Sequence, residues 1–177
     1  MSDGATTTVR SYAERDFDSL VSQWHETNLV SYRYVEEQQK HKLDDAKNFF
    51  RDHVLCSCDV WVAENTGRLV GMVALEVPWI RFLAVFPEYQ RCGVGTALLR
   101  KARECSPVEL RLFTFQRNHV ARAFYAKHSF SAVAFGISPS PELEPDVEYR
   151  WVGLTTRSTG PAGTGLRSSD RRRRRAG

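Results

Sequence analysis

The segment Leu83-Ala84-Val85-Phe86-Pro87-Glu88-Tyr89-Gln90-Arg91-Cys92-Gly93-Val94-Gly95-Thr96-Ala97-Leu98-Leu99 carries a β-prone apolar run through a glycine turn straight into a helical pattern. From Val94 on, Ala97, Leu98 and Ala102 fall on one side of that pattern, with Lys and Arg on the other. A strand that enters a helix through such a turn leaves the first backbone N–H groups of the helix without partners, and the positive end of the helix dipole lies behind them. That place binds phosphate. Gly93 and Gly95 keep Cβ atoms out of the way of a bulky anion, and Thr96 adds a hydroxyl donor. The spacing is not a Walker A loop, since no Lys-Ser or Lys-Thr follows, and not G-x-G-x-x-G, since Leu98 stands where the third glycine would be. ATP and NAD are therefore disfavoured.

The flanking sequence supplies the rest of an α/β unit. Residues 79–85 read as a strand interrupted upstream by Pro78; residues 69–77 and 60–63 read as two more, joined by the turn signal Asn65-Thr66-Gly67. Near the start, residues 7–12 suggest a short strand. Asp16 is then placed to cap a helix whose Phe17, Leu20, Val21 and Trp24 recur at i, i+3, i+4 and i+7. Residues 31–41 are polar and irregular, and Leu43, Ala46, Phe49, Phe50 and Val54 predict a second helix over the same core. Downstream come a strand at 108–115, a helix at 118–128, and strands at 130–135 and 147–154. The order is β α α β β β α β α β β, without internal repeats.

A length of 177 residues with 42% hydrophobic and 26% charged side chains fits one globular domain and a small surplus. Seven of the 25 Lys and Arg and one of the 21 Asp and Glu lie in residues 155–177, which leaves 18 basic against 20 acidic residues in 1–154. The body is thus near neutral, and only the tail has the charge of a nucleic-acid or anionic-surface binder. The tail is Thr, Ser, Gly, Pro and Arg with almost nothing apolar, so disorder is expected there. No apolar run approaches a membrane span and the first 17 residues lack a signal-peptide core, which reads as a cytoplasmic protein without membrane contact. Cys56, Cys58, Cys92 and Cys105 form neither a dense disulfide framework nor a zinc pattern; His53 with Cys56 and Cys58 lacks a fourth ligand, so no metal is expected.

Two stretches together resemble the GNAT superfamily of acyl-CoA-dependent N-acetyltransferases, over about residues 9–151. Gln90-Arg91-Cys92-Gly93-Val94-Gly95 is similar to that family's pyrophosphate loop, and Asn118-His119-Val120-Ala121-Arg122-Ala123-Phe124-Tyr125-Ala126-Lys127-His128-Ser129-Phe130 to its second signature. The resemblance implies a mixed, mostly antiparallel central sheet of six to seven strands, flanked by about four helices, with two central strands splayed apart. It implies acetyl-CoA as co-substrate, with Leu83, Ala84 and Val85 beside the pantetheine arm and Gln90, Arg91, Cys92, Gly93, Val94, Gly95 and Thr96 around the diphosphate. It also implies that Asn118 touches the cofactor and that Tyr125 lies near its sulfur. Two departures stand out. Arg91 and Cys92 occupy positions where relatives often carry Gly and a basic residue, and Ser129 stands where a left-handed helix end favours Gly.

Acetyl transfer to a primary amine needs a neutral nucleophile, donors for the developing oxyanion and a proton for the departing thiolate. A backbone N–H within residues 83–85 suits the oxyanion and the Tyr125 phenol suits the thiolate, while a plain core role for Tyr125 stays open. Asn118 doubles as a helix N-cap. Glu76, the one acid in residues 69–85, is the candidate base acting through water; the alternative is a solvated strand end, with an acceptor that arrives partly deprotonated. Tyr32 and Tyr34 either line the acceptor cleft or cover core surface. The acceptor is a small molecule or a protein, and a homodimer is compatible with the sequence. Two competing readings are an acyl-CoA-binding module without catalysis and association with nucleic acid or the ribosome through the Arg tail.

Overall fold

A computed structural model of the chain describes residues 7–153; the Arg-rich tail and the reading attached to it lie outside the described residues. In chain order the elements are β1 (Thr8–Ser11), α1 (Phe17–Ser31), α2 (Glu36–Lys40), α3 (Leu43–Phe49), α4 (Leu55–Ser57), β2 (Asp59–Asn65), β3 (Arg68–Glu76), β4 (Trp79–Val85), α5 (Val94–Cys105), β5 (Glu109–Phe115), α6 (His119–Lys127), β6 (Ser131–Ile137) and β7 (Pro145–Val152). A π-helical stretch, Phe50–Val54, joins α3 to α4. The seven strands form one sheet in the order β1-β2-β3-β4-β5-β7-β6, antiparallel except for the parallel pair β4 and β5.

The sheet is covered on both faces at its centre, so the central strand β3 is buried from Leu69 to Leu75. On one face α1 and the π-helical stretch bring Phe17, Leu20, Val21, Trp24 and Phe50 against Val62, Met72, Ala84 and Phe86. On the other, Leu98, Leu99 and Ala102 of α5 and Tyr125 of α6 pack on Val73, Leu75, Leu110 and Leu112. The turn between β2 and β3 holds Thr66 at φ 47° and Gly67 at φ 77°, two consecutive left-handed residues that match the twist of a tight hairpin.

Three expectations change. Asp16 does not cap α1 with its side chain. It is buried and accepts hydrogen bonds from the Arg10 guanidinium at 2.7 and 2.9 Å and from the Ala13 N–H at 2.9 Å, closing the short turn that precedes the helix. The polar residues 31–41 hold the helix α2, invisible to periodicity because it buries nothing; Lys40 instead pairs with Glu36 and Glu37 along its surface. Strand β6, at the sheet edge, runs two residues past the expected end at Phe135 and is exposed along its whole length, Phe135 and Ile137 included.

Candidate functional site

The parallel strands β4 and β5 share a single register pair, Trp79 with Arg111, where the Arg111 N–H also donates to the Pro78 carbonyl at 2.9 Å. Trp79 and Phe113 stack across this junction with centroids 5.4 Å apart. Beyond it no further register pair joins the two strands, which leaves a gap in the ladder in the middle of the sheet.

The pairing of β4 with β3 sets what faces that gap. The Phe86 N–H donates to Val70 at 3.0 Å, and residues in an antiparallel pair alternate between facing the partner and facing away. Phe82, Ala84 and Phe86 therefore turn their backbone groups to β3, while Leu83 and Val85 turn theirs to the gap. A register shift between Ala74 and Leu75 leaves Arg81 as an extra residue on β4, which bends the strand at the point where it leaves β5. The Val85 carbonyl accepts from the Gln90 side chain at 3.2 Å. Of the three residues expected beside a pantetheine arm, Ala84 thus has its polar groups in the β3 ladder, and Leu83 and Val85 face the opening.

At the end of β4 the chain turns through a single 3-10 turn, Pro87–Tyr89, into α5. Arg91 sits at φ 65° and Gly93 at φ 85°, and Gly93 precedes the helix without any side-chain cap. The first intrahelical bond recorded there runs from the Ala97 N–H to the Gly93 carbonyl, so the N–H groups of Val94, Gly95 and Thr96 have no partner within the helix. No acidic residue lies in that first turn, and Arg91, Cys92, Gly93 and Thr96 are exposed. The two glycines act differently. A Cβ on Gly93 would meet nothing within 4 Å, so its role is the left-handed backbone; a Cβ on Gly95 would come within 3.2 Å of the Phe124 ring, so its absence lets α6 lie close to α5. The Thr96 hydroxyl is 3.3 Å from His128 Nε2. Burial, then Arg103 and Lys127, lower the His128 pKa and favour the neutral ring.

Helix α6 brings the second group of residues to the same opening. Asn118 caps it, its side-chain oxygen accepting from the Ala121 N–H at 3.1 Å, and Ser129 ends it in the left-handed conformation at φ 62°. Tyr125 is 6% exposed; burial, with Tyr32 nearby, raises its hydroxyl well above the ordinary phenol value. Burial likewise raises Tyr32, and the Asn118 amide beside it offsets part of the rise. Tyr32 thus lies beside Asn118 and Tyr125, its ring 5.2 Å edge-on from Phe115 at the end of β5. Tyr34 lies 6.5 Å from the same ring, and its phenol is pushed up to about 12, chiefly by burial. Phe115 escaped sequence reading because its importance comes from its place beside the gap, which only the β4–β5 register reveals.

Glu76 is not brought to this group. It lies opposite Trp79 at the closed end of the gap, about 13 Å along the strand from Leu83 at the usual rise per residue. Its carboxylate is half-exposed and paired with Arg81 Nε at 2.6 Å. Cys56, Cys58, Cys92 and Cys105 are free thiols. Among the described residues no helix is long and apolar enough to cross a membrane.

Comparison with known proteins bears on the family and the fold. The family model for the acetyltransferase (GNAT) domain matches residues 56–132, which run from the end of α4 through both signature stretches into β6. An uncharacterized N-acetyltransferase of Archaeoglobus fulgidus is 31% identical over 148 residues, covering 75% of this chain and 98% of that protein. The solution structure of apo-form YjaB from Escherichia coli superposes with a TM-score of 0.70 at 22% identity, over 84% of this chain and 99% of that one. YncA of Salmonella typhimurium, solved with its cofactor acetyl-CoA, superposes with a TM-score of 0.63 at 15% identity, over 88% and 98%.

Proposed function

The chain belongs to the GNAT family of acetyltransferases, and on that premise we propose that it moves an acetyl group from acetyl-CoA to a primary amine by direct attack with both substrates bound. The single observation that carries this reading is the parallel junction of β4 and β5 that opens after one pair, directly beside the Gly93-led start of α5. Unpaired backbone groups inside a sheet are costly unless a ligand satisfies them. The Leu83 N–H and carbonyl and the Val85 N–H offer such groups in a row, suited to the amides of a pantetheine arm, while the Val85 carbonyl is held by Gln90. The N–H groups from Arg91 to Thr96, with no acid in the first helical turn, suit a diphosphate. YncA, of the same fold, is recorded with acetyl-CoA, which supports this choice of donor.

Acetyl-CoA, when bound, supplies the acetyl group on an activated thioester. The Leu83 N–H, free of the β3 ladder, faces the gap and serves as donor to the thioester oxygen as negative charge gathers there. Burial keeps Tyr125 protonated at neutral pH, so its hydroxyl is a donor to the departing sulfur as the carbon–sulfur bond breaks, and the proton it passes to the thiolate is replaced from solvent, which receives the proton of the amine. Asn118 holds the start of α6 and, through Tyr32, fixes the wall opposite β4. The amine proton leaves to solvent, since Glu76 is tied to Arg81 away from Tyr125 and Asn118.

A colorimetric thiol assay across an amine panel with acetyl-CoA tests the reading; release of free CoA that depends on amine supports it. A second reading, a CoA-binding module without catalysis, draws on the position of Glu76. It predicts tight acetyl-CoA binding with no amine-dependent thiol release.

A further inference from the structure

The end of α6 touches the start of α5. Thr96 is exposed in the first turn of α5, and its N–H is one of the three left without a partner in the helix. Among the described residues its hydroxyl has one hydrogen-bond partner, His128 Nε2 at 3.3 Å. The half-buried imidazole is held in place from several sides. Phe124, one turn earlier on α6, packs against it with ring centroids 4.6 Å apart, and Phe124 reaches α5 because Gly95 has no Cβ. The His128 N–H donates to the Phe124 and Tyr125 carbonyls at 3.2 and 3.0 Å. Its carbonyl accepts from the guanidinium of Arg103, which lies 4.6 Å from the Trp151 ring centroid. The charged groups that act on the ring are Arg103 from α5 and Lys127 from α6, both cations, and with burial they keep it neutral at pH 7 and above.

A hydroxyl has one proton to give. A neutral imidazole has one bare nitrogen, and with that nitrogen toward Thr96 the hydroxyl proton points at His128 and is withheld from the glycine turn. A protonated ring has no bare nitrogen. Nε2–H then donates to the Thr96 oxygen, and the hydroxyl proton is free for an acceptor outside the pair. We propose that His128 is a positioning residue for the co-substrate: in its protonated form it turns the Thr96 hydroxyl toward the diphosphate of acetyl-CoA, so that the thioester binds together with one proton. The inference rests on the reading of this turn as the diphosphate site. The bound diphosphate in turn favours the imidazolium, so a proton moves from solvent to Nε2 on binding and affinity rises as the pH falls.

Isothermal titration with acetyl-CoA at about pH 8 and about pH 5.5 tests this in the parent, His128→Leu and Thr96→Val. The 3′-phosphate of the ligand titrates in the same range, but equally for all three proteins, so the quantity read is the ratio of each variant's Kd to the parent's. His128→Leu removes the group that switches and Thr96→Val the hydroxyl that it turns. Both ratios stay within about a factor of two at the higher pH, where the hydroxyl is held by the neutral ring, and rise to about tenfold at the lower, the worth of one charge-assisted hydrogen bond. Heats in two buffers of different ionisation enthalpy show the parent taking up more protons on binding than either variant. Ratios that do not change with pH, or that are already tenfold at the higher pH, overturn the inference and leave the diphosphate site standing. A ratio that rises for His128→Leu but not for Thr96→Val overturns the route through Thr96. A folded parent that binds no acetyl-CoA at either pH overturns the reading of the site, and this inference with it.

Discussion

Replacing Gly93 by alanine isolates the backbone at the start of α5. Gly93 sits at φ 85°, and an added Cβ would touch nothing within 4 Å, so the substitution introduces conformational strain and no clash. Holding an L-residue in the left-handed region costs about 1–2 kcal/mol, and the stiffer unfolded chain returns about 0.4–1 kcal/mol. The net loss is about 1 kcal/mol, which lowers the midpoint of thermal unfolding by about 2–4 °C in a domain of this size. If the turn relaxes, the Val94, Gly95 and Thr96 N–H groups rotate away from their common focus. Loss of one charge-assisted hydrogen bond then weakens acetyl-CoA binding about tenfold or more. Arg91→Gly is the mirror experiment, because Arg91 bears the same strain at φ 65° and its relief outweighs the added chain entropy by about 0.5–1 kcal/mol. Differential scanning calorimetry and isothermal titration on the two variants check both halves. A Gly93→Ala protein with the parent's unfolding midpoint and acetyl-CoA affinity would refute the reasoning.

Tyr125→Phe removes the proton donor and keeps the ring, so kcat falls by about a hundredfold or more while acetyl-CoA affinity stays within a factor of two or so; steady-state kinetics beside calorimetric titration separates the two. Asp16→Asn breaks the paired hydrogen bonds from Arg10 and costs about 2 kcal/mol in urea unfolding at neutral pH. The pKa of Asp16 is held below its ordinary 3.8, mainly by Arg10, so its stabilisation is present above that value and is lost as the pH falls below it; the variant lacks this part of the acid dependence. His128 has the opposite charge sense. Its pKa is lowered from 6.5, so below that pH the unfolded chain binds more protons than the folded one and stability declines with acid. His128→Gln flattens that segment of the stability profile measured between pH 7 and pH 5.

Much of the fold is local and was readable. The short apolar and β-rich runs pointed to β2 through β5, the i, i+3, i+4, i+7 pattern to α1, and Asn65-Thr66-Gly67 to the hairpin turn, because each signal comes from residues that meet their own neighbours or one shared core. Ser129 was readable as a strained helix end for the same reason. What failed depended on partners distant in sequence. Helix α2 buries nothing and leaves no pattern, and Asp16 answers to Arg10 across the turn. Glu76 looked placed for catalysis because it is the one acid in residues 69–85, yet strand register sets it at the closed end of the gap. Ala84 could be separated from Leu83 and Val85 only once the phase of the β3–β4 ladder was known. Phe115 came into view beside the gap only through the register of β4 with β5.

The most direct test follows the backbone amides of uniformly 15N-labelled protein by NMR during titration with acetyl-CoA. Saturable, one-to-one shifts at Leu83, Val85, Gly93, Gly95 and Thr96, with Ala84 moving least among residues 83–85, are the predicted outcome. A folded sample whose amides at those positions stay fixed at saturating acetyl-CoA, or shift only at residues away from the β4–β5 gap, would contradict it.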